Sequence, residues 1–202
     1  MASSPLIKLL NQRKVVRNYI DIECSIEPLL NIPKNAIKIP TAGFSRGIEI
    51  LISTESKNIL EVSKIFGEID FVSKGLNPWI SNSKAIYFIL VNEEAYHQRY
   101  EMKDKTNAIN SKNWDVPYWY LDAGAAMMNC MLLIEESDFS SGFMGLHNIN
   151  RNLIHELFKI PSYYMIAGMI TAGISDNKNQ DIINKNSKKK LIHNEFFSKQ
   201  KN

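Results

Sequence analysis

PYWYLDAGAAMMNCMLLIEES, residues 117–137, is the longest stretch of the chain with the pattern of one uninterrupted helix. Its opening proline suits the first helical turn, where a missing N–H leaves no bond unmade. Ala123, Ala125, Ala126, Met127, Met128, Met131 and Leu132 make nearly every side apolar, which predicts a helix over residues 116–137 buried on most of its surface, in the core or against a partner chain. The small residues Ala123, Gly124, Ala125 and Ala126 let another backbone or a flat ring approach closely; dense helix packing accounts for them equally well.

Outward from this helix the pattern alternates between strand and helix. Residues 85–91 (AIYFILV) are a nearly continuous apolar run of strand length, and residues 47–54 (GIEILIST) alternate as a half-buried strand does. Residues 55–66 have helical spacing, residues 141–146 (SGFMGL) read as a short glycine-punctuated strand or turn, and residues 149–158 form an amphipathic helix stopped by Pro161. A strand follows over residues 163–174. At the other end, Ser4 caps a helix with Pro5 in its first turn and Leu6, Leu9 and Leu10 on one face; Ser25 caps a second, with Leu29, Ile32 and Ile37 as candidate core. Residues 40–43 (PTAG) break the pattern as a loop. Helices dominate beside three or four strands, so the class is α+β.

The 202 residues suit one compact domain, residues 1–175, with an appendage over residues 176–202. In that appendage seven lysines face three acidic residues, giving +4 of a total +3, so the body carries about −1. A body without positive charge has no electrostatic footprint for nucleic acid. Cys24 and Cys130 are far apart and form no zinc pattern. The N-terminus lacks a signal-peptide pattern and no apolar run reaches the roughly 20 residues that span a bilayer, so the expectation is a cytoplasmic protein with no membrane partner.

Three constellations can carry chemistry. Arg13, Lys14 and Arg17 follow the first helix; with Arg13 and Arg17 four residues apart, a helical turn would let them grip one dianion such as phosphate, the bland alternative being a solvated basic helix end. Residues 43–47 (GFSRG) match the G-x-S-x-G elbow that would make Ser45 a hydrolase nucleophile. The elbow needs a strand before and a helix after, and here the order is inverted. The third is residues 122–129 (DAGAAMMN), at the head of the long helix. His155-Glu156 begins like a zinc-protease motif, but Lys159 occupies the second ligand position, so no metal site is expected.

Taken in order, these segments resemble the nitroreductase family of FMN-dependent oxidoreductases. RKVVRNY (residues 13–19) stands where the family has R-R-S-x-R-x-F/Y, and PTAGFSR (residues 40–46) where it has P-S-A-G-N-x-Q. DAGAAMMN matches D-x-G-x-A-x-x-N; GFMG (residues 142–145), LFKIP (residues 157–161) and a strand ending at Gly173 follow. The likeness covers residues 3–174 and, more loosely, the lysine tail.

The resemblance implies an α+β nitroreductase-like fold, a central, mostly antiparallel sheet flanked by helices, in an intertwined homodimer with a swapped C-terminal arm. It implies that Arg13, Lys14, Val15 and Arg17 hold the FMN phosphate and ribityl chain, with Lys189 and Lys190 adding charge. It implies further that Pro40, Thr41, Ala42 and Gly43 reach the flavin from the partner subunit, and that Met144, Gly145 and Leu146 lie against the ring near N5. The chemistry implied is ping-pong: NADH or NADPH reduces the flavin, and a small conjugated acceptor such as a nitroaromatic or quinone reoxidises it. Other flavin chemistry on the same fold (reductive dehalogenation, oxygen-dependent flavin fragmentation) and a non-catalytic flavin carrier are the alternatives. Val15, Phe44 and Arg46 stand where the family has Ser, Asn and Gln, and Lys14 keeps charge without arginine's fork. Phe44 and Arg46 are the substrate-side candidates, and Arg46 suggests an anionic acceptor.

Overall fold

The computed structural model describes residues 4–105, 110–175, 193 and 196. Its elements are α1 (Pro5–Gln12), β1 (Tyr19–Ile20), α2 (Glu27–Leu30), α3 (Ile32–Ala36), β2 (Ile48–Ser53), α4 (Ser56–Ile65), α5 (Glu68–Val72), β3 (Ala85–Val91), α6 (Glu93–Tyr100), α7 (Tyr118–Glu136), β4 (Ser140–Met144), α8 (Arg151–Phe158) and β5 (Met165–Ser175). The expected arm over residues 176–202, with Lys189 and Lys190, lies outside the described residues apart from His193 and Phe196.

The strands form one antiparallel sheet in the order β1-β5-β3-β2, with β4 also pairing β5. Every residue of β3 is buried because both faces of the sheet are covered. Ala85, Tyr87, Ile89 and Val91 face the core shared with α3 and α7. Ile86, Phe88 and Leu90 face a second core shared with α4 and α8. That two-sided burial explains why the strand reads as a continuous apolar run.

In α7, Trp119, Ala123, Ala126, Cys130 and Ile134 form a buried stripe at helical spacing. Burial pushes the Cys130 thiol up to about 12. The expected burial over most of its surface is met only in part within one chain: Tyr118, Tyr120 and Leu121 are exposed, and a Cβ built on Gly124 would meet nothing within 4 Å. Helix α1 starts at its Ser4 cap as expected but buries no residue, leaving Leu6, Ile7 and Leu10 exposed. Ile37, expected in the core, is exposed at the end of α3, whereas Leu29 and Ile32 are buried. Lys159, in the left-handed region at φ 53°, ends α8 ahead of Pro161.

Tyr19 anchors the short β1. Its ring packs over Gly173, where a Cβ would lie 2.6 Å from it, and its hydroxyl pairs with Thr171 Oγ1 at 2.9 Å. The chain before it is thereby fixed against the sheet.

Candidate functional site

The basic segment is extended, not helical. Arg13 ends α1, Val15 bridges Ser141 in parallel, and the Val16 N–H donates to the Ser141 carbonyl at 2.8 Å. Only Val15 is bridged and the residues on either side of it are irregular, so no helical turn relates Arg13 to Arg17. The Arg17 guanidinium donates to the Phe143 carbonyl at 2.9 Å and lies 5.6 Å from the Trp79 ring centre. Arg13 Nε is buried with no hydrogen-bond partner. Lys14 lines a polar cleft of about 510 Å³ with Glu135, Asp138 and Ser140. Burial holds the Glu135 carboxyl above its ordinary range, and the nearby Arg13 opposes that shift. Met144, Gly145 and Leu146 continue directly from the Phe143 that Arg17 contacts. Leu146 is buried, while the space over Gly145 is bounded only by the His147 ring, 3.4 Å from a built Cβ.

The second cluster is the loop before β2. The Phe44 N–H donates to the Thr41 carbonyl at 2.8 Å, the Arg46 N–H to Thr41 Oγ1 at 3.0 Å, and the Ser45 hydroxyl to the Ala42 carbonyl at 2.7 Å. These bonds hold Gly43, Phe44 and Arg46 in the left-handed region at φ 62°, 63° and 55°. Glycine is required at 43 for a second reason: a Cβ there would lie 2.4 Å from the Tyr100 ring.

Asp122 hangs this loop on α7. One carboxylate oxygen accepts both the Ala42 N–H at 2.9 Å and the Tyr96 hydroxyl at 2.8 Å. Burial and the adjacent carboxylate together push the Tyr96 phenol up. Asn129, seven residues along α7, donates to the Ala36 carbonyl at 3.2 Å and ties α7 to α3. Both polar residues of the DAGAAMMN motif thus hold the scaffold. Between loop and helix lies a cleft of about 470 Å³, lined by Pro40, Thr41, Ala42, Leu121, Asp122 and the rings of Tyr100, Trp114 and Tyr118. Asp122→Ala leaves two donors without their acceptor, so a loss of about 2 kcal/mol is expected in urea unfolding, with Asp122→Asn, which keeps an acceptor oxygen, losing less.

No protein-family model and no curated protein matches the chain. Solved structures do. An FMN-dependent nitroreductase from Clostridium difficile R20291 superposes with a TM-score of 0.68 at 21% identity, covering 95% of this chain and 99% of that one. A nitroreductase-like protein from Streptococcus mutans gives 0.69 at 14% identity, covering 93% and 98%. A nitroreductase family protein from Streptococcus pneumoniae TIGR4 gives 0.66 at 15%, covering 86% and 92%. The chain has the nitroreductase fold.

On this nitroreductase fold the residues singled out from sequence fall into two groups. Arg17 lies beside the backbone leading to Met144, Gly145 and Leu146, with Arg13, Lys14 and Val15 on the same segment. Pro40, Thr41, Ala42, Gly43, Phe44 and Arg46 belong to the other group, with Asp122. Among the described residues no hydrogen bond or ion pair joins the two groups within one chain. The hydrolase elbow at Ser45 is not formed: a 3₁₀ turn precedes it, strand β2 follows it, and its hydroxyl is spent on Ala42. His97 bonds to Ser111 and Glu93, and His155 to the Ile160 carbonyl. Among the described residues no group of three or more His, Cys, Asp or Glu could hold a metal, and no helix is long and apolar enough to cross a membrane.

Sequence reasoning missed one contributor, Glu68. Trp79, 4% exposed, underlies Arg17, and Glu68, equally buried, holds the loop that carries it. No local pattern marks a glutamate whose partners are backbone N–H groups eleven to thirteen residues later.

Proposed function

We propose that this chain is an FMN-dependent oxidoreductase, reduced by NADH or NADPH and passing hydride equivalents to a small conjugated acceptor such as a nitroaromatic or quinone. The observation that carries this reading is the donor set of the basic segment. Arg13, Lys14 and Arg17 form no salt bridge among the described residues, and Arg13 Nε is buried without an acceptor. A buried, unpaired guanidinium nitrogen is costly unless an anion meets it, and a phosphate supplies several acceptors at once.

In this reading Arg13 and Arg17 grip the FMN phosphate and ribityl chain, helped by Lys14, the Val15 backbone, Lys189 and Lys190. Arg17, tethered to the Phe143 carbonyl, sets the distance between the phosphate grip and the backbone of Met144, Gly145 and Leu146, against which the ring lies. Pro40, Thr41, Ala42 and Gly43 of the partner subunit close the other side, which requires a homodimer. The apolar surfaces that α1 and the head of α7 leave exposed support that assembly. Bound FMN supplies reversible hydride transfer; the protein's part is position and charge. No side chain need act as nucleophile, and Ser45 is accordingly free to serve as a loop brace.

Titrating the purified chain with FMN and with riboflavin, which lacks the phosphate, tests this. FMN is expected to bind at least about a hundredfold more tightly. Arg13→Ala and Arg17→Ala should each weaken FMN by roughly ten- to a hundredfold, the worth of a charge-assisted bond of about 1.5–3 kcal/mol, while moving riboflavin far less. Equal affinity for the two compounds, or uptake of neither, refutes the proposal.

A further inference from the structure

We infer that Phe44 and Arg46 form a recognition plate for an acceptor bearing a carboxylate, so that the site selects planar aromatic anions over their neutral isosteres. The inference rests on the functional reading above and names the substrate class of that same site.

The loop spends unfavourable geometry to display these two side chains. Both are non-glycine residues in the left-handed region, at φ 63° and 55°, a conformation that persists only where the surroundings impose it and that concentrates at ligand-contacting sites. Here hydrogen bonds impose it: the Phe44 and Arg46 N–H groups both turn back to Thr41, while Ala42 is pinned to Asp122. The result is a phenylalanine 66% exposed to solvent, two residues beyond Ala42 on a loop whose start, Pro40, Thr41 and Ala42, lines a cleft walled by the rings of Tyr100, Trp114 and Tyr118. An exposed phenylalanine on a pinned loop offers a flat apolar surface that folding alone does not call for.

Arg46 supplies the charge. Its guanidinium carbon sits 4.2 Å from the centre of the Phe44 ring. Stacking fixes the plane of a guanidinium while leaving its N–H edges open, and that fork matches a carboxylate through two parallel hydrogen bonds. Among the described residues no acid pairs with Arg46. Glu49, three residues along the chain, accepts the Tyr164 hydroxyl, and Asp122, which suspends the loop, accepts the Ala42 N–H and the Tyr96 hydroxyl. The loop therefore presents one oriented, uncompensated cation next to a ring-shaped surface.

The test compares 4-nitrobenzoate with 4-nitrobenzamide, which share ring and nitro group and differ in charge. Calorimetric titration of the full chain, with and without added FMN, is expected to give about tenfold tighter binding of the carboxylate. Arg46→Gln should bring the ratio to about 1, and Arg46→Lys, which keeps the charge but not the fork, to about two- or threefold. With NADH as reductant, the ratio of kcat/KM should follow the same order. Equal binding in the parent chain, a preference that survives Arg46→Gln, or an Arg46→Gln variant that changes only the oligomeric state overturns the inference. A carboxylate preference lost in Arg46→Gln without any turnover of either compound would leave the plate standing and refute the oxidoreductase reading instead.

Discussion

Glu68→Ala is expected to lower the stability of the chain by on the order of 4 kcal/mol, a fall in Tm of roughly 10 °C for a protein of this size. Glu68 is 4% exposed and forms no salt bridge among the described residues. Its compensation comes from backbone: one oxygen accepts the N–H groups of Trp79 at 2.7 Å and Ile80 at 2.5 Å, the other that of Ser81 at 3.1 Å. Successive N–H groups converging on an anion make a tight electrostatic nest. Alanine would leave three donors facing a cavity, two of them on residues that are themselves buried. Glutamine keeps one acceptor oxygen but turns an NH₂ toward a donor, so about half the loss is expected. Because the nest holds Trp79 beneath Arg17, Glu68→Ala should also, on the proposed reading, weaken FMN uptake in the surviving folded protein. Thermal unfolding followed by circular dichroism reads the first effect; a shift below about 2 °C would show that the loop is held by something else.

Gly142→Ala carries the second large effect and strikes the basic segment directly. A Cβ at this position would lie 2.5 Å from the Val16 carbonyl oxygen, 2.6 Å from Thr171 Oγ1 and 2.9 Å from the Trp79 ring. The first is backbone and cannot rotate away, and Thr171 is wholly buried, so relief requires separating residues 15–17 from β4. That separation breaks the Val16 to Ser141 bond and pulls Arg17 off the Phe143 carbonyl. Overpacking of this kind costs about 2–3 kcal/mol, and if Arg17 holds FMN as proposed, misplacing it should weaken FMN at least about tenfold. Gly145→Ala is the matched control: its nearest neighbour would be the His147 ring at 3.4 Å, so urea unfolding should change by no more than about 0.5 kcal/mol. Equal destabilisation by the two alanines would remove steric crowding at residue 142 as the cause.

These contacts separate what periodicity can reveal from what it cannot. β3 and β5 were legible as apolar runs of strand length buried on both faces, and α4, α7 and α8 because each buries a face whose spacing is written in apolar residues. α6 was not: it covers little apolar surface and is placed by Tyr96 and His97 through bonds to Asp122 and Ser111. The cations at residues 13, 14 and 17 were visible as a cluster following the first helix, yet the pairing that places them, with Ser141 far along the chain, leaves no local pattern. Asp122 and Asn129 were visible as a motif, but only the folded chain reveals that one suspends a loop and the other clasps α3.

The left-handed backbone at Phe44 and Arg46 has a consequence for anyone improving this protein. Glycine or asparagine at either position would relax the turn and raise heat resistance by about 1 kcal/mol apiece. Selection for hardiness alone would therefore erode the side chains at positions 44 and 46 first, exchanging the proposed ligand discrimination for durability.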